Sequence, residues 1–242
     1  MGELHGKAAN SSAPGDDHIL AGILKLFWEW DRQRIVQLVR ACICLGHHPE
    51  QWKTAKGIVI PKPGKSDYSK VWAYRVICLL YVISKLVERM VGHLIADHLE
   101  RKKGLHEGQY GCRKQRSCID AVGVLMNQTQ QAWGEKNIAG ALFMDVKTPF
   151  NNVNKALLGK RMEALELEPD LIRWTHNFMT GRNVKLVLDC EAGEVSPIDT
   201  GIPQGSPVAP ILFATYLSGI FDEVERAVLD VQGLSFADDI GW

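Results

Sequence analysis

Three aspartates carry the chemistry most readily assigned to this sequence. Asp145 closes the apolar run Phe143-Met144, and the pair Asp238–Asp239 sits inside Phe236-Ala237-Asp238-Asp239-Ile240. Two-metal phosphoryl transfer to a hydroxyl needs divalent cations about 4 Å apart, held by carboxylates from different parts of a fold. Mg2+ is a hard ion that takes one or two carboxylates and completes its shell with water and substrate phosphates. A strand-end aspartate beside a hairpin-turn aspartate pair supplies such a set. Apolar flanks make unpaired carboxylates costly to bury, so a cation is their natural partner. Taken singly, each has a plainer use, because strand-end aspartates also serve turns and caps.

A third element adds weight. Gly201-Ile202-Pro203-Gln204-Gly205-Ser206-Pro207 fixes a loop with two glycines and two prolines ahead of an apolar helix. Such a loop lets backbone and the Gln204 amide come close to a flat base or ribose. The same residues also suit a rigid turn, with Ser206 as N-cap and Pro207 at the first helical position.

These residues need strands and helices to hold them. A strand is expected over 139–146 to carry Asp145, then a helix over 153–165. A hairpin over 233–242 would place Asp238–Asp239 at its turn, and a helix over 211–228 follows the glycine loop. Further helices are expected over 18–28, 32–45, 80–101, 119–133 and 169–179, with Asp31 capping the second and Gly46 stopping it. Strands are expected over 57–61, 184–188 and 195–198. A basic turn over 62–68, a glycine-punctuated basic loop over 102–117 and a flexible leader over 1–17 complete the expectation.

At 242 residues, 46% hydrophobic and 23% charged, the chain can bury a sizeable core. No apolar run reaches the roughly 18 residues of a membrane span. The start has no apolar h-region of a secretory signal. Six cysteines lack C-x-x-C spacing, which points away from zinc clusters and disulfides and toward small core residues in a reducing compartment. A net charge of zero hides segregation: 53–75 and 101–116 each hold six bases against one acid, whereas 117–242 holds nine bases and seventeen acids. Basic stretches ahead of an acidic half suit phosphate-holding elements before a metal-holding one.

The order of these pieces resembles the reverse transcriptase of non-LTR (LINE-type) retrotransposons over about 12–242. The resemblance rests on Asp145 through Phe150, on G-x-P-Q-G-S-x-x-x-P over 201–210 and on F-A-D-D over 236–239. Upstream it includes Pro61-Lys62-Pro63-Gly64-Lys65, then Tyr74-Arg75 with Lys85 and Glu88, then Gln109-Tyr110-Gly111-Cys112-Arg113, and Ala13-Pro14-Gly15 at the start. Seven blocks in one order are specific where any one is weak. Some positions depart from the pattern: Thr148, Pro149 and Asn151 stand around the aromatic of the first palm block, Val76 follows Tyr-Arg, Cys112 replaces the aromatic of G-F-R, and Asp16-Asp17-His18 follow the opening block. Pro149 is expected to hold Thr148 extended.

The resemblance implies an α+β right-hand polymerase fold of fingers and palm only, with an antiparallel palm sheet backed by helices and no thumb. Residues 18–137 would be mainly fingers and 138–242 mainly palm. It implies RNA-directed DNA polymerisation, with Asp145, Asp238 and Asp239 as ligands of two Mg2+ ions, or Mn2+. Lys62, Arg75 and Arg113 would hold the triphosphate, Phe150 would exclude a ribose 2′-hydroxyl, and Gln204 and Gly205 would line the nucleotide. The partners would be an RNA template with a DNA primer and deoxynucleoside triphosphates, without a membrane. The setting would be intracellular, nuclear by family, with a mitochondrial one as the alternative. A catalytically dead RNA-binding remnant or an intron-maturase-like module is the rival reading. The oligomeric state is left open.

Overall fold

The computed structural model describes residues 13–189, 191–228 and 231–242. The first twelve residues of the expected leader and Cys190 lie outside the described residues. The rest of that leader is docked: Gly15 is buried, and a Cβ there would stand 2.9 Å from the Leu80 carbonyl carbon.

Helix α1 (Ala21–Cys44) merges the two expected N-terminal helices across a kink. Asp31 leaves helical geometry at φ −142° and ψ 60°, and its Oδ1 accepts from the Arg34 amide at 3.2 Å, as an N-cap does. Strand β1 (Thr54–Pro61) begins earlier than expected and pairs antiparallel with β2 (Tyr74–Leu79), a strand the sequence reading missed. Helix α2 (Val82–Lys102) follows, then α3 (Cys118–Gly134), opened by a Ser117–Asp120 capping box.

Strand β3 (Phe143–Asp145) is much shorter than the expected 139–146. Its partner offers few residues to pair, and beyond the strand Leu142 exchanges backbone bonds with Trp242 at 2.8 and 3.0 Å while the Val146 amide reaches the Asp238 carbonyl at the other end. Helix α4 (Lys155–Ala164) is capped by Asn154, and α5 (Pro169–Met179) has the expected bounds, with proline where its missing N–H costs nothing. Strands β4 (Arg182–Leu188) and β5 (Glu191–Ile198), helix α6 (Ala209–Ala227), and strands β6 (Leu234–Phe236) and β7 (Asp239–Gly241) complete the order.

Two sheets result. The first runs β2-β1-β4-β5, with β1 and β4 parallel. The second runs β3-β7-β6 and is antiparallel throughout. The expected division near residue 138 therefore does not follow the sheets, because β4 and β5 join the sheet begun by the first half. The core is equally shared: Val39, Leu86 and Ile95 pack in one cluster with Leu158, Phe221 and Ile240. Trp174 and Phe178 stack within it, ring centroids 5.0 Å apart, each buried ring stabilising by ~2–3 kcal/mol. Of the five described cysteines only Cys42 and Cys78 are buried; Cys44, Cys112 and Cys118 are exposed, which corrects their expected core placement. No helix among the described residues is long and apolar enough to cross a membrane.

Candidate active site

The hairpin that carries two of the aspartates turns through two residues, Ala237 and Asp238, between paired Phe236 and Asp239. Ala237 sits at φ 57°, the left-handed region that a II′-type turn demands at its first central position and that glycine fills most easily. Pairing of β3 with β7 then sets Asp145 directly opposite Asp239, and the Val146 amide donates to the Asp238 carbonyl at 3.3 Å. Opposed residues of an antiparallel pair have Cβ atoms about 5 Å apart on one face. Alternation sends Ile240 and Ser235 to the other face, where both are buried. The carboxylates do not share that burial: Asp145 and Asp239 are exposed and Asp238 is half-exposed, contrary to the apolar enclosure the flanks suggested. None of the three side chains forms a hydrogen bond or ion pair among the described residues.

The hairpin rests on the glycine-rich basic loop. Tyr110 donates to the Ser235 carbonyl at 2.9 Å and Ser235 to the Gly108 carbonyl at 2.8 Å, so residues 108–110 run as a short parallel addition to β6. A Cβ on Gly111 would stand 2.2 Å from the Ala237 nitrogen. That contact is backbone on backbone and cannot yield by a rotamer change. Gly111→Ala is expected to destabilise by ~2–3 kcal/mol, lowering the melting temperature by roughly 5–10 °C in thermal denaturation. An unchanged transition would mean the turn has room the structure does not show.

On the other side, residues 147–152 and the loop over 201–207 lock together. Gly201 donates to the Val153 carbonyl at 3.2 Å and Ile202 to the Phe150 carbonyl at 2.7 Å. Gly201 has φ 81°, and a Cβ there would meet the Asn151 backbone at 2.6 Å. Phe150 lies half-buried against Phe213, centroids 5.4 Å apart. Thr148 is not extended as expected: it takes φ 49°, and Asn152 Nδ2 bonds its Oγ1 at 2.7 Å and the Lys147 carbonyl at 3.0 Å. A β-branched residue at positive φ is strained. With Ala237, and Cys112 at φ 63°, Thr148 makes three non-glycine residues in that region around one site, the kind of place where such strain collects.

The far end of the loop meets β2. The Cys78 amide donates to the Gln204 carbonyl at 2.7 Å, and a Cβ on Gly205 would come within 2.7 Å of the Cys78 oxygen. The loop thereby meets the outer edge of β2 at Cys78 and links the first sheet to the segment that follows β3.

The sequence profile of the reverse transcriptase (RNA-dependent DNA polymerase) family matches residues 60–241. The chain belongs to that family. Among its relatives, the RNA-directed DNA polymerase from mobile element jockey of Drosophila funebris is 27% identical over 241 residues, covering 98% of this chain and 26% of that protein. The probable RNA-directed DNA polymerase from transposon X-element of Drosophila melanogaster is 26% identical over 245 residues, covering 99% of this chain and 26% of its own length. The chain thus spans about a quarter of these relatives. In fold it is similar to apo telomerase from Candida tropicalis truncated from its C-terminal domain, with a TM-score of 0.53 and 14% identity over 79% of this chain and 43% of that one. It is likewise similar to the Sicinivirus 3Dpol RNA-dependent RNA polymerase, with a TM-score of 0.51 and 14% identity over 86% of this chain and 42% of that one. The architecture is that of a right-hand polymerase.

Within this reverse transcriptase domain the three basic candidates have different settings. Arg75 is exposed on β2 opposite Ile60, and Lys62, at the base of the β1–β2 loop, gives Nζ to the Trp72 carbonyl at 3.0 Å. Arg113 is paired within the protein. Its guanidinium grips Glu100 through Nε and Nη2 at 2.8 Å each, and Nη1 donates to the His106 and Gln109 carbonyls at 2.9 and 3.1 Å. Only 6% of that side chain is exposed, and its hydrogen bonds hold the Glu100 carboxyl below the usual range. Arg113 braces the loop that braces the hairpin.

The aspartates fit a divalent cation by donor type and by their lack of protein partners. No group of three or more His, Cys, Asp or Glu side chains among the described residues is arranged to hold a metal ion. Sequence reading missed Gly111 and Cys112 as neighbours of the hairpin, where Cys112 feels the charge of Asp238. A glycine beside a long-range turn leaves no periodicity to find.

Proposed function

We propose that this chain is the RNA-directed DNA polymerase domain of a non-LTR retroelement, extending a DNA primer on an RNA template with deoxynucleoside triphosphates. The observation that carries the reading is the register of Asp145 against Asp239, with Asp238 at the adjoining turn. In this reading all three are metal ligands, of two Mg2+ ions or of Mn2+. When bound, the cations would supply charge neutralisation for the triphosphate and the attacking 3′-hydroxyl. Lys62 and Arg75, on or beside the β1–β2 hairpin, hold the triphosphate. Phe150, buttressed by Phe213, lies under the sugar and rejects a ribose 2′-hydroxyl. Gln204 and Gly205 line the nucleotide, and the basic stretch over 53–75 tracks phosphates of the template. Catalysis is then positioning and electrostatics, with no covalent intermediate on the protein. The first sheet and α2 serve as fingers, and the second sheet with α4 and α6 as palm.

The test is primer extension on an RNA template. Deoxynucleotides are expected to be incorporated with Mg2+ or Mn2+, and incorporation to stop with a chelator. No incorporation with either ion overturns the reading.

A further inference from the structure

Glu88 lies on α2, fully buried, with no lysine or arginine in ion-pair contact among the described residues. Its carboxyl accepts hydrogen bonds from the hydroxyls of Ser84, one turn back on the same helix, and of Ser206, 118 residues away in the glycine loop. The charged groups that face it are Lys85 and Arg182, both acting over a distance, and burial pushes its carboxyl upward. A buried acid is costly, and an apolar residue would fill this helix face at less expense. What the carboxyl provides instead is the tether to Ser206.

That tether holds the end of the loop that matters most. The start of the loop is bound twice by backbone, Gly201 to Val153 and Ile202 to Phe150. Its later part is held by the Cys78–Gln204 backbone bond and by Ser206, whose hydroxyl accepts from Val208 at 3.3 Å while bonding Glu88. Between these two points stands Gly205 at φ 115°, pressed against the Cys78 oxygen. Glycine is the residue freest to change conformation once a neighbour lets go.

We propose that Glu88 is a positioning residue for nucleotide binding, holding Ser206 so that Gln204 and Gly205 stay seated on the edge of β2. The inference rests on the polymerase reading for its consequence but not for its geometry. Ser206→Ala removes the tether with the loss of one atom. Amide hydrogen exchange of Cys78 is then expected to accelerate by about 10-fold or more, the worth of one lost buried hydrogen bond, while amides within the β1–β2 ladder keep their rates. In primer extension the KM for deoxynucleotides should rise by roughly 10-fold with kcat within about 3-fold, the pattern of lost ground-state binding. Glu88→Ala should match Ser206→Ala, and the double variant should be no worse. Glu88→Gln, with an acceptor and a donor for the two hydroxyls, should restore both readouts. Unchanged Cys78 exchange in Ser206→Ala overturns the tether. Faster exchange with an unchanged KM overturns its role in nucleotide positioning. Absence of extension by the wild type overturns the polymerase reading instead, and the exchange data still judge the tether.

Discussion

Asparagine at position 145 or 238 is expected to abolish primer extension, by about a thousandfold or more, while leaving the melting temperature unchanged or slightly raised. The magnitude follows from what is removed: a full negative charge placed where divalent cations would sit, the class of electrostatic loss that costs about 4 kcal/mol of transition-state stabilisation. The lack of a folding penalty follows from the structure. Asp145 is exposed and Asp238 half-exposed, and neither carboxylate bonds another of the described residues. Asp145 faces Asp239 across the strands, and like charges so opposed repel. Removing one therefore relieves the fold while disabling the site. A variant that keeps more than a tenth of the wild-type extension rate would sink the assignment; one that loses activity together with stability would show the aspartates serving the fold.

The sequence made the helices legible because their signals are local. The Ser117–Asp120 box, the Asp31 cap, Asn154 and Pro169 each mark a helix start within one turn of chain. Strands were harder, since their stabilising partners are remote. Tyr-Arg-Val-Ile-Cys-Leu is a strand because β1 lies on one side and the Gln204 carbonyl caps the other, and neither fact is written in residues 74–79. The parallel pairing of β1 with β4, between segments far apart in the chain, was equally invisible and moved β4 and β5 into the first sheet.

The candidate site divided along the same line. Asp145, Asp238 and Asp239 could be picked out by their flanks, and the register brings them together. Arg113 is less legible: a basic residue in the right block reads as a phosphate ligand, and its pairing with Glu100, 13 residues back on the preceding helix, is not written in that block. Glu88 reads in the sequence only as a block residue, because its partner in the glycine loop depends on how α2 lies against that loop. Thr148 defied the usual restriction before proline because Asn152 and the Gly201–Val153 bond hold the segment around it.

Acid is expected to weaken the fold through His48, and the loss should appear between pH 6.5 and 5, before carboxylates protonate. The ring is wholly buried against Trp52, Trp174 and Phe178, with centroids 5.6, 5.4 and 5.1 Å away. Neither ring nitrogen has a partner among the described residues. Burial first, then the charges of Arg182, Lys53 and His47, push the imidazole down to about 3 from an ordinary 6.5. The unfolded chain therefore takes up this proton first as pH falls. Stability from the neutral ring is complete above pH 6.5, declines by about 1.4 kcal/mol per pH unit below it and is spent near the folded value. At pH 5 the loss is ~2 kcal/mol, growing toward ~4–5 kcal/mol near pH 3. Glu50, Asp67 and Asp97, whose carboxyls are held low by hydrogen bonds, lose their contributions only at more acid pH. Glu88, pushed up by burial, has the opposite slope, so the comparison must be between proteins that share it. Urea unfolding of the wild type and of His48→Phe at pH 7.5 and 5 provides that comparison. Phenylalanine fits the aromatic cage and removes two unpartnered nitrogens, so the variant should match or exceed the wild type at pH 7.5 and lead it by ~2 kcal/mol more at pH 5. Parallel losses in the two proteins would show that His48 stays protonated or solvated in the fold, against its complete burial.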